Sequence, residues 1–285
     1  MTSPSSALAE PALGLDDEEQ RPRRRRGLGP AIGAILPLLI LALWEAAARW
    51  HWVSPVFLPA PVKTVTSFFD MLLAQNFLMD FSASLEIVGE SFVLGSTLGI
   101  LLGIGAGLSR TVERLLGPTL NGIRHIPPIA WLPLIVLWVG VGPLAKVVVI
   151  TKVVFFPVFL NTLQGIRGVQ HEYIELARVL TLTRWQLTRR VILPGAMPSI
   201  LTGVRYAASL AWAMVVVAEG LSGLKGLGFL IFRAQALLMT DQLLVCMVVI
   251  GLVGYLIDRG LRLFENHVLR WKRGFAGHAG PGPRA

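Results

Sequence analysis

Residues 166–199 read IRGVQHEYIELARVLTLTRWQLTRRVILPGAMPS. The stretch is too amphipathic to cross a bilayer, yet long apolar runs flank it on both sides. It reads as two short helices joined by a turn. The first covers about 171–180, with Ile174, Ala177, Val179 and Leu180 on or near one side and Glu175 and Arg178 at i,i+3. The second has a marked start. Thr183 is a good N-cap, Gln186 three residues later completes a capping box, and Leu182 and Leu187 stand where a hydrophobic staple fixes the entry angle. The spacing predicts that this helix stops near Leu193, because Pro194 disfavours helical geometry before it. A connector between two spans could be much shorter. A rigid helical elbow is therefore read as a docking surface for a soluble partner.

The flanking runs set the fold class. Of 285 residues, 54% are hydrophobic and 15% charged, against roughly 25% charged in a soluble domain. Mean hydropathy is +0.64. Apolar runs at 29–49, 86–108, 117–139, 144–165, 200–220 and 242–260 are long enough to span a bilayer. The reading is an all-α membrane protein of about six transmembrane helices. Residues 1–27, with acidic Asp16–Glu19 and then Arg21 and Arg23–Arg26, read as a disordered tail. Residues 28–265 form the transmembrane domain, and 266–285 a second tail. The first apolar run is too long, and too far from Met1, for a cleaved signal peptide.

Charge placement orients the chain. Lysines and arginines crowd the N-terminal tail, positions 110 and 114, the 166–199 loop (Arg167, Arg178, Arg184, Arg189, Arg190) and the C-terminal tail (Arg262, Arg270, Lys272, Arg273, Arg284). The opposite loops hold Lys63, Lys225 and Arg233, with Arg49 at a helix end. The positive-inside rule puts both termini and the elbow in the cytoplasm. The net charge of +9 then needs no nucleic acid as partner. Trp44, Trp50, Trp52 and Trp271 lie near span ends as interfacial anchors. The lone Cys246 excludes an intrachain disulfide, and no metal-type spacing exists.

Gly95, Gly99, Gly103 and Gly107 share one face of the second span, where another backbone can approach closely. Packing within the chain, a dimer interface and the substrate path all use such a face. Gly203, Ala207 and Ala211 continue the theme in the fifth span. The third span contains Pro127, Pro128 and Pro133. It either starts at Pro127, with Arg124 in the interface, or is a broken helix beside a pathway.

The elbow resembles the "EAA" loop of ABC-importer permeases. That motif is Glu-Ala-Ala, three residues, Gly, nine residues, Ile-x-Leu-Pro. Here Glu175-Leu176-Ala177, Thr181 and Val191-Ile192-Leu193-Pro194 take those places. The spacing fits; Thr181 replaces the family's Gly, and a β-branched residue resists the left-handed turn made there. The likeness covers most of 55–272, including Pro59-Ala60-Pro61, Phe156-Pro157, Asn161-Thr162, Gly203-Val204-Arg205 and Ala218-Glu219. It is similar to the nitrate/sulfonate/taurine branch, most of all the aliphatic-sulfonate permeases. The resemblance implies a type I ABC importer permease fold in the bacterial inner membrane. It also implies a second permease copy, ABC ATPase subunits docked on the elbow, and a periplasmic or lipid-anchored solute-binding protein. Glu175, Ala177, Thr181, Thr183, Gln186, Leu193 and Pro194 would form the coupling loop.

No Gly-x-x-x-x-Gly-Lys-Ser/Thr loop occurs, so ATP and Mg belong to the partner ATPase and this chain binds no cofactor. A small anion would need a path without strong negative charge. Glu86, Glu90 and Glu219 sit near span ends, and Trp138, Asn161 and Trp212 are candidates to line the path. An ion-coupled transporter would carry ionisable groups at mid-membrane. Mid-span residues here are mostly apolar, with Lys152 the exception. Hydrolase and metalloprotease motifs are absent, which excludes the common catalytic constellations.

Overall fold

The structure, a computed structural model, describes residues 29–50, 52–74, 77–222 and 225–270. Both expected tails lie largely outside the described residues, as do Trp271, Lys272, Arg273 and Arg284. The chain divides into two units, Met1–Ala46 and Ala47–Ala285. Helix α1 (Gly29–Arg49) carries the described part of the first, and its apolar run includes Pro37.

The second unit contains α2 (Pro61–Ala74), α3 (Phe77–Leu108), α4 (Arg110–His125), a 3-10 turn (Pro128–Trp131) and α5 (Leu132–Val139). There follow α6 (Pro143–Arg167), α7 (His171–Val179), α8 (Arg184–Leu187), a π turn (Thr188–Ile192), α9 (Leu193–Ser222), α10 (Leu227–Ala236) and α11 (Thr240–Val268). Among the described residues four helical stretches are long and apolar enough to cross a membrane, and five if one bent pair counts as a span. The expected spans 86–108, 144–165, 200–220 and 242–260 fall inside α3, α6, α9 and α11. The run 29–49 is helical as α1.

α4 and the Pro128–Val139 segment meet at 93°, a bend that both readings of the third span allow. Pro127 takes extended geometry and neither it nor Pro128 has an N–H to continue the helical ladder.

Helix α6 is the centre of the bundle, with α3 on one side and α9 on the other. The glycine stripe makes the first contact possible. A Cβ added at Gly95, Gly99, Gly103 or Gly107 would stand 2.7, 2.9, 2.7 and 2.9 Å from the Cβ of Val154, Val158, Thr162 and Ile166. Each row advances four residues at a time, so the two backbones run side by side over three turns. The α6–α9 contact repeats the device at Gly203, against Asn161, and at Gly165, against Ser199. Ile150, Val154, Val158, Ala207, Ala211 and Val215 fill the core between these helices.

One expectation fails. The elbow's second helix does not end near Leu193; α8, the π turn and α9 form one continuous stretch, Arg184–Leu221. The Leu193 N–H reaches five residues back to Thr188 rather than four. This widened turn lies where the Pro194 ring would otherwise press on the Arg190 carbonyl, so the proline is absorbed instead of ending the helix.

Candidate functional site

The elbow is built from local signals. α6 ends at Arg167, with the Gly168 N–H bonded to the Gln164 carbonyl at 2.8 Å. α7 then closes in a Schellman pair: Leu182 N–H donates to Ala177 O at 3.1 Å and Thr181 N–H to Arg178 O at 2.9 Å. Thr181 occupies the position this motif usually gives to glycine, at φ +52°. The left-handed turn is thus kept although its residue is β-branched, and it carries backbone strain. Leu238, at φ +54°, ends α10 in the same way.

Thr183 starts α8 with a complete capping box. Gln186 N–H donates to Thr183 Oγ1 at 3.3 Å, and Thr183 N–H to Gln186 Oε1 at 2.9 Å. Glu175 pairs with His171, 3.4 Å away at i,i+4, not with Arg178 as its i,i+3 spacing suggested. Ala177 is buried beneath the elbow, while Tyr173, Leu176, Val179, Leu180 and Trp185 are exposed, Val179 by 79% and Trp185 by 70%. A cavity of ≈ 740 Å³ lies between α7 and the start of α9, reaching Pro194, Gly195 and Pro198. Leu193 joins the π turn to α9. Glu113, on α4, pairs with Arg167 beside the elbow.

The three path candidates do not meet in one place. Trp138 is exposed on α5. Trp212 is buried, and its indole N–H donates to Ile250 O at 2.9 Å, joining α9 to α11. Asn161 lines a polar cavity of ≈ 390 Å³ with Thr202, Arg205, Tyr206, Ser209 and Asp258. Arg205 pairs there with Glu265 at 2.8 Å and Asp258 at 3.9 Å.

Two groups carry more structure than their positions in the sequence suggested. Glu219, placed near a span end, is fully buried. It accepts from Ser84 Oγ at 2.8 Å and from the Gly228 N–H at 2.9 Å. Lys146, also buried, donates to Lys225 O at 3.2 Å, and Asp80 accepts from the Gly226 N–H at 2.9 Å. The cluster ties α3, α6, α9 and α10 together at the end of the bundle opposite the elbow. Lys152 is half-buried in α6 and donates to Ile126 O at the break, at 2.8 Å. Its ammonium lies 5.0 Å from the Trp131 ring centroid. Neither cluster could be found from one element alone, because every partner comes from a distant part of the chain.

Long apolar helices around a glycine-packed centre, with a helical elbow beside them, are the architecture of a membrane-embedded protein. Residues 95–270 match the family described as binding-protein-dependent transport system inner membrane component. The chain belongs to that family. A Bacillus subtilis protein named for aliphatic-sulfonate transport as a permease is 34% identical over 97% of this chain and 100% of its own length. The taurine transport system permease of Escherichia coli K12 is 34% identical over 82% of this chain and 86% of its own. An inward-facing form of the MetNI methionine ABC transporter superposes with a TM-score of 0.60 at 19% identity, over 67% of this chain and 95% of that one. An amino acid ABC transporter gives 0.58 at 18%, over 70% and 98%. The fold is that of ABC-importer permeases, and the sequence relatives include the sulfonate and taurine permeases.

Proposed function

We propose that this chain is the permease subunit of an ATP-driven importer of a small anionic solute: an aliphatic sulfonate first, taurine or nitrate next. Two copies would form the pathway, two ABC ATPases would dock on the elbows, and a solute-binding protein would deliver the solute from outside. ATP closing the ATPase pair would draw the elbows together and rock the spans from inward- to outward-facing. ATP and Mg would be held by the ATPases. The charge distribution favours cytoplasmic termini and a cytoplasmic elbow.

The observation that carries this reading is the elbow's surface. Tyr173, Leu176, Val179, Leu180 and Trp185 stay exposed on short helices whose ends are fixed by a Schellman turn and a capping box. Apolar side chains held this rigidly outside the spans suit a protein partner. The test is co-expression with a candidate ABC ATPase subunit from the same organism. Wild type should retain the ATPase on purification, and Glu175→Arg or Val179→Asp should release it. An ATPase that never binds wild type overturns the reading and leaves ion-coupled transport as the alternative to test.

A further inference from the structure

Lys152 is a charged residue within a span that neither the elbow nor the core explains. With a rise of about 1.5 Å per residue, it lies about 13 Å from the Pro143 end of α6 and about 22 Å from the Arg167 end. That is mid-depth for a spanning helix. A lysine that snorkels extends along its helix toward the headgroups. This one turns instead into the crook of the 93° bend, onto Ile126 O and the Trp131 ring.

Its surroundings lack negative charge. Arg167, Arg205 and Arg262 each pair with a carboxylate. Among the described residues Lys152 has a carbonyl and an aromatic face instead. An ammonium has three donors, and the Ile126 carbonyl takes one. Trp131 adds a fourth donor: its Nε1 is buried and makes no hydrogen bond. The neighbouring break exposes Ile126 and Pro127, and irregular backbone at membrane depth is stable where protein or a watery cavity covers it. Unused donors, a positive charge without a counter-ion and no acid nearby are the requirements of an anion site.

We propose that Lys152 and the Trp131 indole form an anion-recognition station midway along the path, which receives the compact oxoanion head of the solute during passage. This rests on the anion-importer reading above. A sulfonate or nitrate head offers several acceptor oxygens to the two remaining ammonium protons and the indole N–H. A lipid phosphate offers the same chemistry, so the test must separate the two sources.

The experiment measures uptake of labelled ethanesulfonate, taurine and nitrate into cells lacking their own uptake systems, which express the full chain with its ATPase and solute-binding protein. Lys152→Gln should lower Vmax about tenfold, the loss of one charge-assisted hydrogen bond, with KM unchanged because capture outside belongs to the binding protein. Lys152→Arg should recover most of the rate, and Trp131→Phe, which keeps the ring and removes the N–H, should lower it severalfold. Co-purification of the ATPase reports that each variant has folded; if Lys152→Gln fails that check, Trp131→Phe and Lys152→Arg decide. Wild-type Vmax in Lys152→Gln overturns the station while leaving the importer reading intact. Normal uptake together with loss of co-purified anionic phospholipid overturns it in favour of a lipid headgroup. A wild type that imports none of the three anions overturns the anion reading and the station together.

Discussion

Thr181 concentrates strain in a single residue of the elbow. The Schellman turn needs φ near +52°, which an L residue with a branched Cβ reaches at a cost of about 1 kcal/mol. Thr181→Gly should therefore stabilise the protein by about 1 kcal/mol, read as a higher midpoint of thermal unfolding in detergent. An unchanged or lowered midpoint would mean that the threonine side chain repays its own strain. Glu219 is the opposite case, a buried carboxylate whose partners depend on it. Glu219→Ala strands the Gly228 N–H and leaves the Ser84 hydroxyl only its longer bond to the Asp80 carbonyl, and should cost about 1–3 kcal/mol, seen as lost yield of folded protein. Glu113 is half-buried, and its effect is a matter of pH. The hydrogen bond from Arg167 holds its carboxyl below the usual 4.5. A depressed folded value means that the α4–α6 tie contributes above that pH and is lost as pH falls through the folded value. Wild type should outlast Glu113→Gln on heating at neutral pH, and the gap should close in acid and narrow with salt. A gap that persists in acid would show that the ion pair is not its source.

At the scale of elements, the α3–α6 seam tests how much of the bundle depends on close approach. Gly99→Leu or Gly103→Val drives a side chain into Val158 or Thr162, and overpacking of this kind costs about 1–3 kcal/mol even after relaxation. Gly89 and Gly251 meet open space, so alanine there should be neutral or stabilising by about 0.5–1 kcal/mol. Equal loss of folded protein from both sets would mean that the seam is not what orders the helices. The same comparison explains what could be read in the sequence. The glycine stripe and the Thr183–Gln186 box are periodic or local, so spacing alone exposed them. The end of the elbow could not be read, because Pro194 predicts a stop unless a π turn forms behind it. Neither could the burial of Glu219, whose partner Ser84 lies 135 positions away. The break at Ile126–Pro127 is visible as a cluster of prolines, but its 93° angle comes only from the fold. Trp138, Asn161 and Trp212 are path candidates by chemistry alone. Only Asn161 lines the polar cavity, and Trp212 is committed to the Ile250 carbonyl.

For the whole molecule the decisive property is sidedness, since an elbow on the wrong side of the membrane could not meet an ATPase. The bundle has two chemically distinct ends. One carries the elbow and its arginines; the other carries buried Lys146, Glu219 and Ser84 with half-buried Asp80, beside Lys225. α6 and α9 each run from one end to the other, so fixing one residue at either end fixes both. Cys246 is the only cysteine in the sequence and is fully buried, which leaves a background almost silent to thiol reagents. Leu176→Cys, at an exposed position on α7, should react with a membrane-impermeant maleimide in inside-out vesicles and not in intact cells. Lys225→Cys, exposed at the far end, should do the reverse. Wild type should stay unlabelled in both preparations. If Leu176→Cys were labelled from outside, the arginine count would have misassigned the chain and ATP-driven coupling through this elbow would be impossible. If both variants react only from their expected sides, the exposed apolar patch faces the compartment that holds ATP. The energy source can then be separated from an ion gradient by depleting ATP in cells whose proton gradient is maintained.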